Sequence, residues 1–513
     1  MASSNIAIVN NDDLHLDFRS SGLFPLFIQS NISNKLVFLN YWKLRGPKVI
    51  CFVLRLRNLQ GDIIGERVYE PNWTGAVELE IECEFSKEIS VLPHGYSGSV
   101  EFEVFFMEKP RFTYPAVSLV YSSAKGSSVV HTSSRILNRN EEISDKFLGA
   151  PQTGVDIILD ENFENCLAFF MGNEESYNIE LTVADSNKTW VKMERVTGSL
   201  GGLAILSLDF LGEAPKKLIS RKPKLTIQSR NGDVFPRYIC MTRNPETPTP
   251  TLTHTFFDIR TVVENNPSLL NDAITHHKFD GFHSSTFLIP FFDPSEFITS
   301  IETYDCIAPF TGSILFRLRS LDGKIIDERK FDTYPGGFFQ RRESIIIDEL
   351  FKMEHRFNDL QFEFVLVESN HVPLRQKVGL NIRKKSTAVG TNICFSPNVL
   401  VATTSFDSVK HRWFPLGGAD KFIGTIHNTN YFAFESDSRL FSVTIYRNDG
   451  NEFQCAYQIK SGGWILLSAK TTPDIFEFLG DQLGYAYVSS HGLPFDSYFF
   501  TIKENHIGGD HAF

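Results

Sequence analysis

The sequence predicts an all-β protein: a tandem of antiparallel β-sandwich units (jelly-roll or immunoglobulin-like), in two halves related by internal duplication, with few short helices. Three observations predict it. Short alternating apolar and polar runs are punctuated by turn residues about every 8–12 positions, the rhythm of antiparallel sandwiches. One 16-residue segment occurs twice. Phenylalanine is abundant, with 47 Phe against 15 Tyr and 5 Trp, which suits the space between facing sheets.

The repeat is the firmest element. Residues 52–67 read FVLRLRNLQGDIIGER and residues 314–329 read ILFRLRSLDGKIIDER, identical at nine of sixteen positions at a spacing of 262. The shared residues include Arg55/Arg317, Arg57/Arg319, Gly61/Gly323 and Glu66/Glu328. Each copy reads as a hairpin: an alternating run, a Leu-x-Gly turn and an Ile-rich return strand. Fainter matches follow in order. Val100-Glu101-Phe102-Glu103 resembles Leu360-Gln361-Phe362-Glu363 at a spacing of 260, Ala168-Phe169 resembles Ala433-Phe434 at 265, and Phe210-Leu211-Gly212 resembles Phe478-Leu479-Gly480 at 268. Their order and near-constant spacing carry the reading, not any single match.

A chain of 513 residues holds about three to five domains. Breaks are expected at Asn138–Gln152, at the Pro/Thr-rich Asn244–Thr251, read as an extended spacer, and at Trp413–Ala419. Four units result: 1–140, 141–248, 249–412 (resembling the first) and 413–513 (resembling the second). Helices are expected over Ser268–His277 and Asp348–His355.

Composition narrows the function classes. A net charge of −11 disfavours nucleic acid, whose affinity comes largely from phosphate neutralisation. The basic runs Lys216, Lys217, Arg221, Lys222, Lys224 and Arg383, Lys384, Lys385 read as solvated. No apolar stretch reaches the roughly 18 residues of a membrane span. Seven scattered cysteines without CxxC spacing, and a start lacking a secretory pattern, point to a cytoplasmic location. Neither a dinucleotide nor a P-loop motif occurs, so no cofactor is expected. Gly95-Tyr96-Ser97-Gly98 lacks GxSxG spacing and reads as a turn.

Three groups carry candidate chemistry. His131, Ser133 and Arg135, within SVVHTSSR, could grip a carboxylate or sugar. Asp510 and His511 follow two glycines that could let backbone approach a ligand, although a lightly docked tail is the ordinary reading. His491 joins these as a ligand-binding candidate. His276, His277 and His283, near His254, Asp258 and Asp280, form the densest imidazole–carboxylate group, a candidate metal site of no recognised zinc spacing. The function read from this set is a non-catalytic binding or assembly protein with a glycan or protein partner, and oligomers are compatible with it. The alternative is a carbohydrate-active hydrolase or lyase with a site between units.

Overall fold

The computed structural model describes residues 18–136, 152–257, 284–400 and 408–513. Within those ranges it leaves out 94, 111–112, 132–133, 157–162, 173–175, 185–188, 209–223, 230–237, 245–246, 304–312, 333–343, 352–359, 368–377, 388–389, 396–397, 430–437, 493 and 505. The described chain is all-β, with a few short helices. No described helix is long and apolar enough to cross a membrane.

The first sandwich comprises β1 (Arg19–Phe27), β2 (Ser33–Leu39), β3 (Val49–Arg57), β4 (Ile63–Tyr69), β5 (Ala76–Glu80), β6 (Ser97–Phe106), β7 (Val117–Ser122) and β8 (Ser127–His131). Helices α1 (Trp42–Arg45), α2 (Ile81–Glu84) and α3 (Ser86–Ile89) fill connections. One sheet runs β1-β6-β3-β4 and the other β5-β2-β7-β8, with every pairing antiparallel.

The second comprises β9 (Gln152–Asp156), β10 (Glu164–Phe170), β11 (Ser176–Ala184), β12 (Thr189–Thr197), β13 (Leu203–Ser207), β14 (Lys224–Ser229), β15 (Ile239–Asn244), β16 (Thr247–His254) and β17 (Phe256–Phe257). The third comprises β18 (Ser284–Pro290), β19 (Phe297–Thr303), β20 (Ser313–Ser320), β21 (Ile325–Asp332), β22 (Ser344–Ile346), α4 (Ile347–Phe351), β23 (Leu360–Val367), β24 (Val378–Lys384), β25 (Gly390–Phe395) and β26 (Asn398–Leu400). The fourth comprises β27 (Val409–Gly417), β28 (Ile423–His427), β29 (Ser438–Arg447), β30 (Glu452–Lys460), β31 (Trp464–Leu467), α5 (Pro473–Leu479), β32 (Leu483–His491), β33 (Asp496–Lys503) and β34 (His506–His511).

Their sheets run β9-β14-β11-β12 over β13-β10-β15-β16, β18-β23-β20-β21 over β22-β19-β24-β25, and β27-β32-β29-β30 over β31-β28-β33-β34. Counted from each sandwich's first strand, all four share one order: 1-6-3-4 over 5-2-7-8. Two extras, β17 beside β9 and β26 beside β18, extend the first sheet of the second and third sandwiches. In the first, third and fourth, the short helices α2, α4 and α5 follow the fifth strand.

The duplicated hairpins keep their side-chain partners. Arg55 lies opposite Glu101 and Arg317 opposite Glu363. Arg55 Nε donates to Glu66 at 2.7 Å and Arg317 Nε to Glu328 at 2.6 Å. Arg57 Nε reaches Glu101 at 2.9 Å, and Arg319 pairs with Glu363 in the same way. Register therefore aligns the sixth strands at 262, not at the 260 of the Val100–Glu103 match. A two-residue slip leaves every side chain on its own face, so a short sequence match cannot see it. The Ala433-Phe434 and Phe210–Gly212 matches lie outside the described residues.

Two expected breaks are strands instead. The Pro/Thr-rich segment is β16, a hairpin partner of β15, and the 248/249 boundary falls inside it. The strand tolerates Pro248 and Pro250 because it ends its sheet, so one side needs no ladder donors. The 412/413 boundary likewise falls inside β27. The break at 138–152 lies almost wholly outside the described residues. Of the expected helices, α4 overlaps Asp348–His355 as far as Phe351, and Ser268–His277 lies outside the described residues.

The sandwiches meet in a ring. β8 lies against β16, β16 against β25, β25 against β34, and β34 against β8. Each is the last strand of its sheet, and hydroxyls bridge the gaps. Leu252 N–H donates to Ser128 Oγ at 3.1 Å, Thr251 Oγ1 to Gly390 O at 2.7 Å, Thr253 Oγ1 to Asn392 O at 2.7 Å and Thr391 Oγ1 to Gly509 O at 2.9 Å. A Cβ on Gly508 would stand 2.1 Å from Ser127 O, so the β8–β34 approach requires glycine there.

A second contact repeats around the rim. Leu203 N–H donates to Leu59 O at 2.9 Å, and Trp464 N–H to Leu321 O at 3.0 Å. The hairpin turn of one sandwich thus seats on the fourth-to-fifth-strand turn of the next. Between the fourth and first sandwiches, Gly450 and Gly75 make the same approach, to Thr74 and Arg447. A head-to-tail contact of this kind ends in a closed ring only when its rotation matches the number of units.

Gly61 (φ 95°) and Gly323 (φ 84°) sit at these turns, where an added Cβ would meet Leu200 O at 2.4 Å and Ser461 O at 2.3 Å. Gly61→Ala and Gly323→Ala are each expected to cost about 1–3 kcal/mol in urea unfolding. Gly95 also has a positive φ but open space around it, so Gly95→Ala should cost less. Equal losses at all three positions would remove the docking role.

Candidate functional site

The ring axis collects chemistry that is far apart in sequence. His131, His254 and His511 are the last residues of β8, β16 and β34. The third sandwich places Phe395 at the end of β25, so three of the four matching positions hold imidazole. The His131 ring lies 4.4 Å from that of His254 and 4.8 Å from that of His511, both edge-to-face at 70°. Phe513 packs on His131 at 5.6 Å.

Each Nδ1 is engaged by an oxygen: His131 with Asp510 Oδ2 at 2.5 Å, His254 with Thr255 O at 2.9 Å and His511 with Ala512 O at 3.0 Å. A carbonyl or carboxylate only accepts, so each Nδ1 carries a proton. Burial raises the pKa of Asp510 most, yet the neighbouring charge and hydrogen bond of His131, with help from His511, hold the carboxyl below its ordinary value. His131 is 8% exposed and Asp510 5% exposed.

Of the sequence candidates, the structure brings His131, Asp510 and His511 together, with His254 from the histidine-rich group beside them. The expected loose tail is strand β34, hydrogen-bonded to β33 along its length. Arg135 is spent elsewhere: buried, it donates to Ser21 Oγ at 3.1 Å and lies 5.9 Å from the Tyr114 ring. His491 is exposed at the end of β32, in the other sheet of the fourth sandwich. Ser133, His276, His277, His283, Asp258 and Asp280 lie outside the described residues, as do Lys216, Lys217, Arg221 and Lys222. Lys384 caps Glu504 O at 2.8 Å across the third and fourth sandwiches. Gly95 turns into β6, as read.

A second polar site lies in the first sandwich, beside its contact with the fourth. An open cleft of about 830 Å³ is lined by Lys35, Glu80, Glu82 and Ser122, among others. Beside it, Asp420 accepts from Ser122 Oγ at 2.5 Å, Ser127 Oγ at 2.6 Å and Lys503 Nζ at 3.0 Å. Burial pushes Asp420 up most, but those hydroxyls and the lysines Lys503 and Lys35 bring it below its usual value. Burial raises Glu82 despite the Asn34 hydrogen bonds. Sequence reasoning missed this cleft because its residues come from turns and strand ends with no local motif.

No protein-family profile matches the sequence, and no curated protein matches it. Among solved structures, the chain is similar to one described as "Crystal structure of tetra-tandem repeat in extending region of large adhesion protein", at 8% identity over 90% of each chain. The TM-score is 0.09, too low to carry a structural argument.

Two buried histidines at the contacts between sandwiches should make the fold acid-sensitive. His427, whose Nδ1 meets Gln361 Oε1 at 2.8 Å, and His506, packed on Gly126, are both pulled down to about 3 by burial. The unfolded chain binds these protons first, near the ordinary 6.5. Their contribution is therefore complete above about 6.5 and declines as pH falls from there toward 3, by up to ~1.4 kcal/mol per pH unit and histidine. Urea midpoints should fall across that window, with a shallower slope in His427→Gln. A flat profile from pH 7 to about 4 would contradict this.

Proposed function

We propose that the chain is a non-catalytic binding or assembly scaffold, a single-chain ring of four β-sandwich domains descended from a repeated ancestral unit. The shared strand order and the matched arginine–glutamate register support that descent. The observation that carries the functional reading is the outer rim. Strands β4, β12 and β21 end their sheets at matching places and hold Ile63, Val68, Val191, Met193, Ile325 and Ile326, exposed by 41–59%. Aliphatic groups held in water at repeated positions suit a protein partner, which gains by covering them. They suit a glycan less, because sugars favour aromatic platforms. Charges on the same strands, such as Glu66, Arg67, Lys192 and Glu328, guard these edges against indiscriminate strand pairing. Several similar faces on one body raise avidity toward a repetitive partner, including other copies of the chain.

A second reading rests on the cleft in the first sandwich, beside its contact with the fourth. There Glu82 is shifted up and Asp420 down, a division of carboxylates that acid–base hydrolysis of a carbohydrate uses. The enclosed His131–Asp510 pair does not support it, because a sugar has no room to reach a pair so buried.

Sedimentation velocity over a wide concentration range, together with a glycan array and a hydrolysis panel, tests both readings. The scaffold reading expects self-association or array binding that the combined Ile63→Glu, Val191→Glu, Ile325→Glu variant loses while staying folded. A wild type that stays monomeric and binds no glycan, or a variant that behaves unchanged, overturns it. Sugar cleavage abolished by Glu82→Gln would establish the second reading instead.

A further inference from the structure

The histidines on the axis do more than pack. We propose that His131, His254 and His511 form a binding site for a divalent transition-metal ion, zinc by the chemistry of its donors, tying the first, second and fourth sandwiches together at the centre of the ring.

Four observations carry the assignment. One ring nitrogen from each histidine lies within 4.8 Å of those of the other two. Ligands about 2.0–2.1 Å from a tetrahedral zinc stand roughly 3.3 Å apart, so closing on an ion takes side-chain rotations of about an ångström. The Nδ1 atoms are already committed to Asp510, Thr255 O and Ala512 O, which orients Nε2 as the basic nitrogen. That is the outer shell metal-ligating histidines use, with a carboxylate behind one imidazole raising its basicity. The three come from three different sandwiches at the same strand position, so the ring closure itself assembles the set. Finally, His131 and His254 are buried while His511 is half-exposed, which leaves an entry side.

Imidazole donors suit zinc, copper, nickel or cobalt rather than calcium or magnesium, which take oxygen. Three protein ligands leave a fourth position for water or another small donor. The site is independent of the partner surface on the rim, so either proposal can fail alone.

The test uses the full chain, stripped with a chelator and titrated with zinc chloride, with cobalt chloride as a spectroscopic probe. One ion per chain is expected, with a tetrahedral cobalt absorption band and a rise in Tm. His254→Asn and His511→Asn should each abolish tight binding, and both keep a polar side chain so that the fold survives, which circular dichroism checks. Asp510→Asn should weaken affinity about 10–100-fold without removing a ligand. His491→Ala should change nothing. The proposal is overturned if the wild type takes up no zinc or cobalt. It is equally overturned if folded His254→Asn and His511→Asn bind as tightly as wild type, or if binding vanishes only on changing His276, His277 and His283.

Discussion

The architecture depends on covering four sheet edges at one place. The eighth strand of every sandwich ends its sheet, and an end strand offers backbone donors and acceptors with no ladder partner on one side. Here β8, β16, β25 and β34 turn those edges toward a common axis. They do not form a continuous sheet. Threonine and serine hydroxyls instead bond the neighbouring strand's carbonyls and amides, as Thr251, Thr253, Thr391 and Ser128 do. Hydroxyl bridging joins these strand edges without a continuous ladder, and glycine at 508 lets the backbones close up.

The same arrangement buries both faces of strands on the axis side, such as β7, β8 and β33. In β10, Leu167 and Phe169 fill the second sandwich, while Ala168 and Phe170 belong to the core that spans the first and fourth. In β33, Phe499 joins that core and Tyr498 and Phe500 join the third sandwich. Such strands read as continuous apolar runs. In the outer sheet of the fourth sandwich, β29 alternates between buried Phe441, Val443, Ile445 and exposed Leu440, Ser442, whereas β1 of the first sandwich is buried along its whole length. Aromatic rings also cross between sandwiches, Phe292 on Phe500 and Trp413 on Tyr41.

Symmetry is broken where chemistry concentrates. Three strand ends carry histidine and the fourth carries Phe395. The first and fourth sandwiches also trap Asp420 among Lys35, Lys503 and two serines, a charged knot within the contact between them. A buried carboxylate so well partnered fixes one geometry, since removing any partner leaves a charge without compensation.

The sequence by itself determined the strand class and picked out two matching arginine–glutamate hairpins, because alternation, turn glycines and paired charges are local and survive in a linear reading. It also singled out His131, Asp510 and His511, though as members of two unrelated groups, SVVHTSSR and the C-terminal tail. It misread Asn244–Thr251 as a spacer, since proline at alternate positions looks the same in an extended linker and in an end strand. Only the tertiary structure decided that one strand order recurs in all four sandwiches and that a fourth residue, His254, stands beside the other three. Those facts arise from which edges meet in space, and contacts between strands more than a hundred residues apart leave no periodic trace along the chain.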